Sequence, residues 1–141
     1  MEIQAPAGFV PQHAISFAAT GGEATLVGPA QPLPVTPALA AANSAPLAGT
    51  TNSPAMIGPF SPDSGRPIWL TLTGDWSGSV VLLRSRDGGA TKLPLTYSDG
   101  SPKGSCALNV NAPIAQEPVT GATYYLDAML SSGTLAYRME Q

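Results

Sequence analysis

Ile68-Trp69-Leu70-Thr71-Leu72-Thr73-Gly74 is the stretch whose reading decides the fold. Ile68, Leu70 and Leu72 alternate with Trp69, Thr71 and Thr73, and a period of two residues puts the two sets on opposite faces of a strand. Working outward, Gly74 to Gly78 predicts a turn with Trp76 at its tip. Val80-Val81-Leu82-Leu83 is apolar at every position, which suits a strand in the middle of a two-layer core. Asp87-Gly88-Gly89 is a hairpin signal with Thr91 to Thr96 as the returning strand, and Ser98-Asp99-Gly100-Ser101 turns the chain again. Cys106, Leu108 and Val110 alternate with Ala107 and Asn109. After a proline-containing loop, Tyr124, Leu126 and Ala128 alternate with Tyr125, Asp127 and Met129. Ser131-Ser132-Gly133 reads as a last hairpin turn into Leu135, Tyr137 and Met139. About six short strands with no helical period predict an all-β fold, a small antiparallel β-sandwich or barrel.

The first part of the chain is of another kind. Every lysine and arginine, both tryptophans and all four tyrosines lie beyond residue 60, and before it Glu2 and Glu23 are the only charged side chains. Nine prolines stand in residues 1–60, among them Pro6, Pro29, Pro32, Pro34, Pro46, Pro54 and Pro59. They remove backbone donors and push their predecessors toward extended conformations, so long helices and central strands are excluded there. The chain therefore divides into an extended Pro/Ala-rich arm, residues 1–59, and a β-domain, residues 60–141. Two short strands are expected within the arm, Ala14 to Ala18 and Ala24 to Val27, joined by a turn at Gly21-Gly22. Composition alone would leave such a segment unstructured in isolation. Yet Phe9, Ile15, Phe17, Leu26, Leu33, Val35, Leu39 and Leu47 are spaced apolar anchors, and a plain linker has no use for them. Of these, Ile15, Phe17, Leu26, Leu33, Val35 and Leu39 are the expected contact residues for a partner surface.

The totals narrow the function classes. Charged residues are 11% of the chain, against roughly 25% in ordinary soluble domains, so part of the surface is expected to be covered in an assembly. A domain of about 80 residues buries only about 60–65% of its unfolded surface, and a core that small gains from neighbours. A net charge of −3, with no basic cluster beyond Arg84 and Arg86, argues against a nucleic-acid partner. No apolar run reaches the length of a membrane span, and the N-terminus does not read as a signal peptide, so neither a membrane nor secretion is expected. Cys106 is the only cysteine, which excludes an intrachain disulfide and a Cys-based metal cage, and it is expected to be a reduced, half-buried strand residue.

Each candidate site has an ordinary reading beside the sharper one. Ser85, Asp87, Gly88, Gly89 and Thr91 fit the Asp-box pattern S-x-D-x-G-x-T, in which the carboxylate accepts hydrogen bonds from turn amides; a structural turn is expected. Trp69, Trp76, Tyr124 and Tyr125 suit either a platform for sugar rings or a core and interface. Trp76, flanked by Gly and Ser, is the candidate for exposure and contact. Asp63, Asp75, Asp99 and Asp127 sit mostly beside Gly or Ser, where Asp caps backbone amides. His13 has no His, Cys or Asp near it, and no D-x-D-x-D-G loop occurs, so no metal or other cofactor is expected. With no acid/base pair and no activated nucleophile to nominate, the chain does not read as an enzyme.

Gly65-Arg66-Pro67-Ile68-Trp69-Leu70-Thr71-Leu72, the Trp76-Ser77-Gly78 that follows, Arg84-Ser85-Arg86-Asp87-Gly88-Gly89, and the closing Ser132-Gly133-Thr134-Leu135-Ala136-Tyr137-Arg138 together resemble small virion proteins of tailed bacteriophages. The likeness covers residues 60–141 well and the arm weakly, through Pro32-Leu33-Pro34-Val35. It implies a structural protein of the particle, and the layout is similar to capsid decoration (cement) proteins, which are compact, often trimeric β-domains with an extended arm. The implied partners are the major capsid protein or other virion subunits and further copies of the chain, a trimer being favoured. The resemblance implies a place on the head or tail of the particle, and the layout of compact domain and arm favours the head surface. A tail, baseplate or head-fibre module touching a host glycan is the alternative.

Overall fold

A computed structural model describes residues 16–18, 24–29 and 41–141 of the chain. Among these residues there are nine strands and no helix: β1 (Ser16–Ala18), β2 (Ala24–Leu26), β3 (Leu47–Thr51), β4 (Ala55–Phe60), β5 (Pro67–Ser85), β6 (Leu93–Pro94), β7 (Ser105–Cys106), β8 (Val110–Gln116) and β9 (Thr123–Glu140). β1 and β2 pair antiparallel, Ser16 with Leu26 and Phe17 with Thr25, as the short apolar pieces on either side of Gly21-Gly22 lead one to expect. Ile15, Leu33, Val35 and Leu39 lie outside the described residues. Ala41–Gln141 is one compact unit.

That unit is larger than the composition implies. β3 and β4 are strands of its sheet, so the boundary falls at residues 40/41 and not at 59/60. Proline bars a segment from the middle of a sheet but not from its edge. Pro46 and Pro54 bracket β3, while Pro59 sits in β4 where its register with β9 shifts between Ile57 and Phe60.

The remaining seven strands form one antiparallel sheet built on two long strands. β5, 19 residues, and β9, 18 residues, pair from Trp69↔Glu140 to Ser85↔Thr123. β3 and then β4 run along the free side of β9; β6, β7 and β8 run along the free side of β5. At one level the outer tracks break, at 52–54 between β3 and β4 and at 107–109 between β7 and β8, while β9 at 131–133 and β5 at 74–78 continue through glycine-containing stretches. Ile68, Leu70 and Leu72 on one side of this line share a buried cluster with Val80, Leu82, Leu126 and Leu130 on the other. A lone sheet has only itself to bury such a face against. It is folded across the middle, and two layers arise from one sheet.

The stretches that read in sequence as hairpin turns, 74–78 and 131–133, are therefore bends through which the strands continue. Gly74 (φ +119°) and Gly133 (φ +85°) hold backbone conformations that side-chain-bearing residues rarely adopt. A Cβ on Gly133 would fall onto the Asp75 carbonyl oxygen, and one on Gly74 onto that of Thr134. Here the glycines let two strands approach each other while bent.

One residue keeps the core facing inward. Ser77 pairs with Ser132 but Gly78 pairs with Leu130, so Ser131 is an extra residue in β9. Even-numbered Tyr124, Leu126, Ala128 and Leu130 point into the core before it, odd-numbered Leu135 and Met139 after it. Without the bulge, one half of β9 would turn its apolar set to solvent. The two ends of the unit are stitched together by Gln141. Its side chain accepts from the Asp63 amide (2.7 Å) and the Ser44 hydroxyl (3.1 Å) and donates to the Asp63 carbonyl (3.0 Å).

Candidate functional site

The turn between β5 and β6 is the hairpin that its sequence announces, and its hydrogen bonds follow from residue type. Asp87 accepts from the Thr91 amide (2.9 and 3.0 Å) and the Ser85 hydroxyl (2.7 Å). Ser85 Oγ in turn accepts from the Gly89 amide (2.9 Å). The Thr91 amide, and after it the Ser85 hydroxyl, hold the Asp87 carboxyl far below the usual carboxylate range. Ser85, Asp87, Gly89 and Thr91 thus meet as expected, and Gly88 (φ +71°) supplies the reversal with open space around it. The turn also covers apolar surface. Gly89 lies against the Tyr125 ring, and Lys92 donates to the Gly89 carbonyl with its ammonium 4.8 Å from the centroid of that ring. Leu83 and Tyr125, on the outer face of the sheet, are consequently buried.

Next to this turn lies a charged cluster that the sequence reading passed over. Glu117, in the loop between β8 and β9, is completely buried. Arg84 donates to both carboxylate oxygens, from Nε to Oε2 and from Nη2 to Oε1 (2.8 Å). The Tyr124 hydroxyl (2.9 Å) and the Val119 amide (2.9 Å) complete the shell. The hydrogen bonds from Arg84, then those from Val119 and Tyr124, bring the Glu117 carboxyl down to about 2 against the cost of burial. Burial first, and then the bond to Glu117, push the Tyr124 hydroxyl up to about 12. The arrangement is fully satisfied: four donors meet a carboxylate that accepts and has no proton to give near neutral pH. No local signal marks it, since Glu117 stands in a loop and Arg84 and Tyr124 reach it from two different strands.

A cleft of about 550 Å³ opens between the turn and β6, lined by Arg84, Arg86, Asp87 and Thr91 on one side and Leu93 and Leu95 on the other. It presents one guanidinium fixed by Glu117 and an exposed one, Arg86. No His, Cys or Glu side chain lines it. Among the described residues, no three His, Cys, Asp or Glu side chains converge as a metal site would require.

The aromatic residues do not form one platform. Tyr124 and Tyr125 are buried. Trp76, expected to be exposed, is half-buried against the core, and its indole N–H donates to Asn109 Oδ1 (2.8 Å). Asn109 also donates to the Gly74 carbonyl (3.0 Å), so the residue expected at a turn tip instead helps to pin the bend. Trp69 is the exposed tryptophan, 42% accessible on the outer face of the sheet. Asp99 caps the Ser101 amide (2.9 Å) within its own turn, whereas Asp63, expected to do the same, accepts from the distant Asn43 amide (2.7 Å). Cys106 is a free, half-buried residue of β7, and burial raises its thiol pKa, which makes it a poorer nucleophile. Searches of protein-family models, of curated proteins and of solved structures return no match to the chain.

Proposed function

We propose that the protein is a structural component of a tailed-bacteriophage virion, a decoration protein of the capsid that reinforces the head by gripping its subunits through the N-terminal segment. The observation that carries this reading is the change of character at residue 40. A compact β-unit, Ala41–Gln141, follows forty residues in which Glu2 and Glu23 are the only charges and apolar side chains recur at intervals. Ordering a residue costs about 1–2 kcal/mol, and burying a large apolar side chain returns about 1.5–3 kcal/mol. Such a segment therefore binds in short stretches around its anchors, Ile15, Phe17, Leu26, Leu33, Val35 and Leu39, with main-chain hydrogen bonds to a sheet edge of the capsid subunit where one is free. Four of the described carboxylates support a non-catalytic reading, since Asp63, Asp87, Asp99 and Glu117 each serve backbone amides, hydroxyls or an arginine.

Removal of residues 2–40 tests the reading. The shortened chain should retain its β-sheet circular-dichroism spectrum and fail to co-sediment with capsids; co-sedimentation equal to that of the full chain would sink the idea. Immunogold labelling of virions with antibody to residues 41–141 should mark the head.

A second reading, a tail or baseplate module that contacts a host glycan, draws support from Trp69 on the outer face of the sheet. Gold confined to the tail, together with lost adsorption in Trp69→Ala, would favour it over decoration.

A further inference from the structure

The free edges of the folded sheet are not alike. β4 shifts register at Gly58-Pro59. β6 and β7 are two residues each, and β6 contains Pro94. β8 carries Pro113 and a register shift against Ile68 and Trp69. Short strands, prolines and bulges are the devices by which sheet edges are kept from pairing with other chains. β3 has none of them. Leu47-Ala48-Gly49-Thr50-Thr51 pairs with Met139 to Leu135 of β9 without irregularity, carries no charge, and exposes Ala48, Gly49 and Thr50. Among the described residues, nothing hydrogen-bonds to its other side.

We propose that this edge pairs with the β3 edge of a second copy of the chain, antiparallel about a two-fold axis at Gly49. The window defines the occupant. Pro46 and Pro54 close it at both ends, so the fitting strand is short and offers an unbroken run of main-chain donors and acceptors over about five residues. The same strand of another copy meets each condition. With Gly49 facing Gly49 of the second copy, Leu47 faces Thr51, Ala48 faces Thr50, and both prolines fall beyond the paired stretch. No charge meets its like across the seam. In the neighbouring track of β9, Arg138 stands beside Ala48 and is held by Glu140, while Ala136 stands beside Thr50. At the axis Gly49 contributes no side chain of its own, and the Tyr137 side chain of β9 lies over it, its hydroxyl in the place a Gly49 Cβ would take. The two folded sheets then continue into one another, and the contact spares the faces of the sheet for other partners. It goes beyond the virion reading and does not depend on it.

Sedimentation of the purified full chain tests the proposal. The wild type should run at twice 14.3 kDa. Ala48→Lys with Thr50→Lys sets Lys against Lys across the seam and should halve that mass; Ala48→Glu with Thr50→Glu should do the same. Mixing the two variants should restore the double mass, because each Lys then faces a Glu. Thr73→Lys, on the same outer face but in β5, should leave the wild-type mass unchanged. Unchanged circular dichroism in every variant separates lost pairing from lost folding. A wild-type mass of 14.3 kDa or three times that value would overturn the proposal. So would a Lys variant that keeps the wild-type mass. Failure of the mixture to regain it would assign the edge to a strand from another source.

Discussion

Gly88 and Gly133 both lie in short glycine- and serine-containing stretches with positive φ, yet they do different things. At Gly88 the chain reverses, and the reversal is local: Asp87 and Ser85 bind the turn amides from within the same few residues. At Gly133 the chain does not reverse. It bends because β5 lies against it and shares the bend through Gly74. A turn of the first kind carries its own cause. A bend of the second kind exists only when strands far apart in sequence have already found each other.

The difference can be broken by substitution, and the largest effect is expected at the bend. Gly133→Ala sets a Cβ on the Asp75 carbonyl and a side chain in a disfavoured conformation; it should cost above about 4 kcal/mol or prevent folding. Gly88→Ala, in open space, should cost about 1 kcal/mol. Urea unfolding of the two variants measures both, and similar costs would mean that the bend relaxes around a methyl group.

Next in size is the buried pair beside the turn. Glu117→Ala leaves Arg84 without its anion and should cost about 3–5 kcal/mol in the same assay. A carboxyl brought down to about 2 in the fold stabilises it fully above its unfolded value of 4.5, and that share is lost as pH falls from about 5 toward 2. The loss is on the order of 3 kcal/mol. Glu117→Gln should flatten this part of the acid-unfolding curve, leaving what Asp87 and Asp99, which are also held low, contribute.

Asp87→Ala should lower the urea midpoint slightly and speed amide exchange at Thr91, with the amides of β9 unaffected. Spread of that exchange into β9 would show that the turn and the long strands are coupled more tightly than the comparison holds. The smallest effect has the opposite sign. Thr123 Oγ1 is buried without a hydrogen-bond partner, so Thr123→Val should stabilise the protein by about 1 kcal/mol in thermal unfolding.

What could be read from the sequence follows the same division. The Asp-box turn, the inward set Ile68, Leu70 and Leu72, and the pairing of β1 with β2 all rest on neighbours in sequence, and all were legible. The bends were not, since a glycine permits positive φ without saying whether a turn or a neighbouring backbone requires it. Leu47 to Phe60 looked like more of the arm because prolines mask edge strands as readily as they mark unstructured chain. Trp76 was misplaced with its presumed turn. Glu117 was missed because its partners, Arg84 and Tyr124, come from two strands that meet only in the fold.

The stitch made by Gln141 has a mechanical consequence. It holds residue 141 beside Ser44 and Asp63, at the end of the ladder where Leu47 of β3 meets Met139 of β9. A pull applied between residues 41 and 141 would load that ladder from one end and open it pair by pair, like a zip, without engaging its bonds together in shear. The protein resists tension well only when one of those two ends is left free to follow the other.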